Sequence, residues 1–140
     1  HPPSNVEGID SARLHLAEGV GGDEFSEDNI GVRRGDDGML EVRIVAARYG
    51  FYPQRVTLPQ GETFRLRIAA FDVLHGVYVP QTNLNLMIVP GYISEIETAL
   101  MEVGEQPYLC HEFCGPAHAY MFGIFDVVPA AEFTLPEEGA

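Results

Sequence analysis

The sequence predicts an antiparallel β-sandwich, for two reasons. From residue 39 onward apolar and polar residues alternate with a period of two, as in a strand with one buried face. Glycine and proline separate such segments roughly every 8 to 12 residues, and no long helical period interrupts them. A chain of 140 residues has the length of one domain and can bury a core without disulfide bonds.

The predicted strands follow one another closely along the chain. In the first, Leu40, Val42, Ile44 and Ala46 alternate with Glu41 and Arg43. In "TFRLRIA", Phe64, Leu66 and Ile68 point to one face and the intervening arginines to the other. The remaining predicted strands are RVTLPQGE, VLHGVYV, NLNLMIV, YISEIETAL, PYLC and MFGIFDVV.

The composition divides the chain into three parts. Residues 1–38 are rich in glycine and acidic residues, which predicts an irregular N-terminal lead-in. Within it, "SARLHLAE" predicts two helical turns with Ser11 as the N-cap and the two leucines partly buried. The sandwich domain is predicted at 39–130, followed by a C-terminal tail at 131–140.

The chain is strongly acidic, with 21 acidic and 8 basic residues and a formal net charge of −13. This charge excludes nucleic acid as a partner. It fits either a negative face that steers a basic protein partner or a surface adapted to high salt. The sequence has no apolar run of 18 or more residues, so we expect it to be soluble. We also expect the chain to be monomeric and any export signal or membrane anchor to lie outside it.

One short stretch, "CHEFCGPAHAYM" at 110–121, holds both cysteines, two of the five histidines and one of the four methionines. It connects the last two predicted strands, and Gly115 and Pro116 allow a sharp turn there. A disulfide between cysteines so close in sequence would close a very small loop. The cluster therefore predicts a metal site.

The donor types favour copper over zinc. Zinc would accept both thiolates and the imidazole of His118, with His75 as the fourth ligand, but it would leave Met121 without a role. A thioether is a soft ligand that suits copper. A mononuclear blue-copper site uses two histidines, one cysteine and a weak methionine, which leaves one cysteine over; a second thiolate can instead bridge two copper ions.

The stretch "CHEFCGPAHAYM" resembles the C-x-E-x-C-x-x-x-H-x-x-M loop of the dinuclear CuA centre in subunit II of the haem-copper cytochrome c oxidases. Upstream, "DVLHGVYVP" resembles the D-V-x-H segment that supplies the other histidine ligand in that family. The resemblance covers residues 39–128, includes "FYPQRVTLPQGE" and "TNLNLMIVPG", and is greatest to the B-type oxidases. It implies a cupredoxin-like Greek-key β-sandwich.

The resemblance also implies six metal-ligand positions and two copper ions as the cofactor. Two thiolates bridge the ions, each imidazole binds one ion, and a thioether and a backbone carbonyl are the weak ligands. In this chain these are Cys110 and Cys114, His75 and His118, Met121, and the carbonyl of Glu112. Since no coordination position is left for a substrate, we expect no catalytic residue in this chain.

The function implied by the resemblance is electron entry into a respiratory oxidase. The domain would accept single electrons from a c-type cytochrome or a small copper protein and pass them to haem in subunit I, where oxygen is reduced. It would lie on the outer face of the cytoplasmic membrane, on the periplasmic or extracytoplasmic side. The candidate docking residues lie in the stretch 110–121 or directly after it: Phe113, Pro116, Ala117, His118, Tyr120 and Phe122.

Three other functions remain open from the sequence. A CuA domain of the nitrous oxide reductase type shares the ligand pattern but typically has an aromatic residue where Glu112 stands. A copper-delivery protein would have an open site that exchanges metal readily. A structural module would use zinc to stabilise its fold and carry out no redox chemistry.

Overall fold

The structure is a computed structural model that describes residues 14–16, 23–25, 28–47, 50–70, 75–79, 84–89, 91–109 and 122–136. These ranges contain eleven strands: β1 (Leu14–Leu16), β2 (Gly31–Arg34), β3 (Leu40–Ala47), β4 (Gly50–Tyr52), β5 (Arg55–Pro59), β6 (Phe64–Ala70), β7 (His75–Tyr78), β8 (Asn85–Ile88), β9 (Tyr92–Thr98), β10 (Gly104–Leu109) and β11 (Phe122–Val128). Short 3-10 turns lie at Asp23–Phe25 and Ala130–Glu132.

The strands form two sheets. Sheet 1 has the order β1-β9-β6-β3-β2, with β4 also paired to β3, and sheet 2 has the order β5-β11-β10-β7-β8. The prediction of a wholly antiparallel sandwich is wrong for two pairs, because β3–β6 and β5–β11 are parallel. Between β3 and β6 the chain visits sheet 2 at β5, so β6 returns beside β3 in the same direction. Alternation along one strand carries no information about this direction.

The core lies between the inner faces of the two sheets. On β6, Phe64, Leu66 and Ile68 are buried and the arginines between them are partly exposed, as predicted. The rings of Phe64 on sheet 1 and Phe125 on sheet 2 have centroids 6.1 Å apart, and the ring of Tyr108 stacks on Phe125 at 4.4 Å. Aromatic side chains therefore join the two sheets near the centre of the sandwich.

The lead-in segment contributes strands to sheet 1. The predicted helical turns are wrong, because Leu14–Leu16 form β1 and pair antiparallel with β9. A helix of two turns is marginal by itself, whereas the edge of β9 offers backbone hydrogen-bond partners. Later in the lead-in, β2 pairs with β3. Ser11 and the side chains of β1 lie outside the described part of the structure.

The outer face of sheet 1 carries charged side chains in register across β3, β6 and β9. One row runs Glu41, Arg65, Glu97, and the next runs Arg43, Arg67, Glu95. In the first row Arg65 lies 3.0 Å from the carboxylate of Glu41 and 3.5 Å from that of Glu97. We call these two rows the charge ladder.

The 3-10 turn at Asp23–Phe25 covers part of this face. The second row places Arg43 and Arg67 side by side, and the carboxylate of Glu24 contacts both guanidinium groups. Phe25, only 6% exposed, packs beside them against an apolar cluster that includes Val45 and Ile93. One carboxylate thus offsets two neighbouring like charges, and one ring covers the adjacent apolar surface.

Candidate metal centre

The segment 110–121 joins two strands that are hydrogen-bonded to each other. The pairing of β10 with β11 runs from Gly104 opposite Val127 to Leu109 opposite Phe122. The chain therefore leaves sheet 2 at Leu109 and returns at the residue directly across from it. Directly opposed residues of an antiparallel pair have Cα atoms about 4.5–5.5 Å apart, so both ends of the segment are fixed.

A third strand, β7, reaches the same end of sheet 2. Leu109 also pairs with Tyr78, and β7 runs antiparallel to β10. His75 therefore lies about 10 Å further along, at about 3.3 Å per residue, beyond the last pair of β10. There the backbone of His75 pairs with Ile88 of β8. The structure thus brings the backbone of His75 to the end of the sheet from which 110–121 departs.

The other predicted ligands fall outside the described residues, so the ligand set stays a prediction. The undescribed positions are Cys110, Glu112, Cys114, His118, Met121 and the side chain of His75. Of the predicted docking residues only Phe122 is described, and its side chain is 40% exposed. Among the described side chains, no three His, Cys, Asp or Glu residues are grouped to hold a metal ion.

Where the segment 110–121 leaves sheet 2, the outer face of the sheet is apolar and the inner face is tightly packed. On the outside, the paired residues Leu109 and Phe122 are 37% and 40% exposed. On the inside, Tyr108 is fully buried and its hydroxyl donates to the carbonyl of Pro53 at 3.5 Å. Burial raises the pKa of the Tyr108 phenol well above its ordinary range.

Sequence reasoning missed Tyr108 and Gly123, which lie directly opposite each other on β10 and β11. The sequence held one usable signal: a lone glycine inside a predicted strand often marks the close approach of another group. In the structure that group is the ring of Tyr108, which occupies the space where a side chain at 123 would begin.

The donor set fits copper on chemical grounds. Two thiolates, two imidazoles and a thioether are soft or intermediate ligands, the types that copper prefers. The described strands give such a set fixed attachment points, because β7, β10 and β11 are neighbours in sheet 2. A site at this end would have a rigid base beneath its ligand loop.

Comparison with known proteins agrees with this reading of the fold. Residues 39–128 match the family described as the periplasmic domain of cytochrome c oxidase subunit II. Cytochrome c oxidase subunit 2 of Thermus thermophilus is 34% identical over 82 residues, which cover 59% of this chain and 61% of that protein. A cryo-EM structure of a haem-copper terminal oxidase dimer aligns with a TM-score of 0.65 and 29% identity over 71% of each chain.

The periplasmic domain of subunit II from Bradyrhizobium japonicum aligns with a TM-score of 0.60 at 18% identity, over 66% of this chain and 86% of that one. The predicted class, a cupredoxin-like β-sandwich, is confirmed. The chain belongs to the family of cytochrome c oxidase subunit II periplasmic domains, which places it on the extracytoplasmic side of the membrane. Its relatives are parts of an oxidoreductase complex.

The aligned region spans 61% and 49% of the length of the two Thermus relatives that it matches. In the described part of the chain, no helix has the length and apolar character needed to cross a membrane.

Proposed function

We propose that this chain is the electron-entry domain of a haem-copper cytochrome c oxidase, with a dinuclear copper centre. The main support is the match to the subunit II family over residues 39–128, a range that contains both ligand motifs. The proposed ligands are the thiolates of Cys110 and Cys114, the imidazoles of His75 and His118, the thioether of Met121 and the backbone carbonyl of Glu112.

Bound copper supplies a one-electron redox couple. The protein supplies two anionic thiolates, which metal binding keeps deprotonated at neutral pH. It also supplies rigidity, because the segment that carries five of the six ligands is tied to directly paired residues, Leu109 and Phe122. Ligands held in this way would change little when an electron arrives, so electron transfer would meet a small reorganisation barrier.

The proposed donor is a c-type cytochrome or a small copper protein, and the proposed acceptor is haem in subunit I. The exposed side chains of Leu109 and Phe122 support a docking surface at this end of sheet 2. Apolar contact close to the ligands would shorten the path of the electron. The net charge of −13 would favour a basic donor by speeding encounter at low salt.

The test is copper loading of the purified chain, followed by metal analysis, visible spectroscopy and EPR. We expect two copper ions per chain, a purple colour and hyperfine splitting shared by two copper nuclei. One copper with an intense blue band would replace the proposal with a mononuclear site. A colourless protein that retains zinc would end the redox proposal.

A further inference from the structure

An aromatic ring packs against a glycine at the end of sheet 2 from which the segment 110–121 departs. Tyr108 on β10 and Gly123 on β11 are directly paired, and both are buried. A Cβ atom built on Gly123 would lie 2.7 Å from Cε1 of Tyr108 and closer still to Cζ and the hydroxyl oxygen. The ring therefore fills the volume that any side chain at position 123 would need.

Two other aromatic side chains pack against the ring and restrict its movement. Its centroid is 4.9 Å from that of Phe51 and 4.4 Å from that of Phe125. Tyr108 is fully buried, and its hydroxyl points at the carbonyl of Pro53. Close packing of this kind transmits a change at one side chain to its neighbours.

This arrangement also locks the register of the two strands. A slip of one residue would place Tyr108 opposite Phe122 or Ile124, and either residue has a Cβ atom where the ring now lies. Only the observed register puts a glycine beneath the ring. The register in turn decides which residues belong to the segment between the strands.

We propose that Tyr108 and Gly123 are positioning residues of the copper site. Each lies two residues from a proposed ligand, Cys110 on one strand and Met121 on the other. By fixing the separation and register of β10 and β11, the pair sets where the chain carrying these ligands begins and ends. This inference rests on the proposed function, since it concerns the geometry of that copper centre.

The test uses Gly123→Ala, which adds a methyl group under the ring, and Tyr108→Leu, which removes the ring but keeps an apolar side chain. Tyr108→Phe is the conservative control because it keeps the ring in place. Leu66→Ala is the stability control: Leu66 is fully buried on β6 of sheet 1, whereas the pair lies on sheet 2. Each variant is loaded with copper and examined by EPR, by redox titration and by copper loss to a chelator. The unfolding temperature of the metal-free form is measured in parallel.

We expect Gly123→Ala and Tyr108→Leu to change the copper hyperfine pattern and the reduction potential and to weaken copper retention about tenfold, the usual size of an effect on ligand orientation. Tyr108→Phe should keep the wild-type spectrum. Leu66→Ala should lower the unfolding temperature and leave the copper spectrum unchanged.

The inference is overturned if Gly123→Ala or Tyr108→Leu keeps the wild-type spectrum and potential while only its unfolding temperature falls. It is equally overturned if Leu66→Ala alters the spectrum as strongly as they do, since the effect would then be one of general stability. If Gly123→Ala or Tyr108→Leu fails to fold, metal-free wild type and Tyr108→Phe are compared by hydrogen exchange at the amides of Leu109 and Phe122. The inference predicts equal protection in the two proteins, and lower protection in Tyr108→Phe would overturn it. A wild-type protein without a dinuclear copper signal would instead refute the proposed function.

Discussion

The buried phenol of Tyr108 should make the folded protein less stable at alkaline pH. Burial raises its pKa above the ordinary value of 10.0, so the folded state keeps the proton after the unfolded chain has lost it. Between those two pKa values the folded state binds more protons than the unfolded state, and stability falls as pH rises. The contribution is complete below pH 10 and is lost progressively above it.

We therefore expect the free energy of unfolding of the wild type to fall more steeply above pH 10 than that of Tyr108→Phe. At neutral pH the two proteins should differ by only about 1 kcal/mol, because a single long hydrogen bond is lost. Denaturant titrations at a series of pH values measure both quantities. Tyr52→Phe, at a side chain that is 50% exposed, is the matched control and should follow the wild-type curve. Identical slopes for Tyr108→Phe and wild type would contradict the prediction.

The two kinds of sulfur ligand should respond differently to substitution. Cys114→Ser removes a proposed bridging thiolate and should abolish the dinuclear site, because a serine hydroxyl is a poor ligand for copper. Met121→Leu removes only a weak ligand, so both copper ions should remain while the reduction potential shifts. Metal analysis and redox titration distinguish the two outcomes. Loss of all copper from Met121→Leu would count against its weak-ligand role.

The charge ladder of sheet 1 should stabilise the fold through its part-buried members. Arg67→Met removes the guanidinium that contacts Glu24 and Glu95, and Glu95 is only 9% exposed. We expect a loss of about 3 kcal/mol in the free energy of unfolding, typical of removing one partner from a buried ion pair. The measurement is denaturant unfolding at neutral pH.

The matched control for this change is Arg55→Met on β5. Arg55 pairs with Glu105 at 2.9 Å, but the side chains are 48% and 61% exposed. An exposed pair of this kind contributes at most about 1 kcal/mol. Equal losses of unfolding free energy in the two variants would mean that burial does not determine how much the ion pairs of the charge ladder stabilise the fold.

The central strands were predictable because the residue pattern of each one reflects which of its faces is buried. The alternation of apolar and charged residues in β3 and β6 directly reflects one face against the core and one face carrying the ladder. The identity of β1 was not predictable in the same way, because its pairing depends on the open edge of β9, far away in sequence. The two parallel pairs were missed for the same reason.

The residue types and location of the candidate site are predictions from the sequence alone, whereas the packing that supports this end of sheet 2 is known only from the structure. The clustering of sulfur and imidazole in 110–121 indicated a metal site by itself, and the resemblance named its ligands. The contact between Tyr108 and Gly123 depends on how two strands align, and this follows from packing of the whole sandwich. Nothing in the local sequence identifies tyrosine as the group that fills the space above that glycine.

The net charge of −13 should make the stability of the whole molecule sensitive to salt. Repulsion among excess negative charges destabilises the compact state. Raising sodium chloride from about 10 mM to about 150 mM shortens the Debye length from about 30 Å to about 8 Å. We expect the unfolding temperature to rise by a few degrees in thermal scans. A decrease would mean that screening of attractive pairs such as those of the ladder outweighs relief of repulsion.

The direct pairing of Leu109 with Phe122 marks the boundary between the paired strands β10 and β11 and the segment 110–121 that connects them. The two anchor points face each other across one strand spacing, so a connecting piece of different length or composition could begin and end there without disturbing a single pair below. The two strand ends therefore form a fixed attachment site for a loop. Transplanting alternative inserts into it would report on what the mounted piece contributes by itself, with the β framework held constant as a common background.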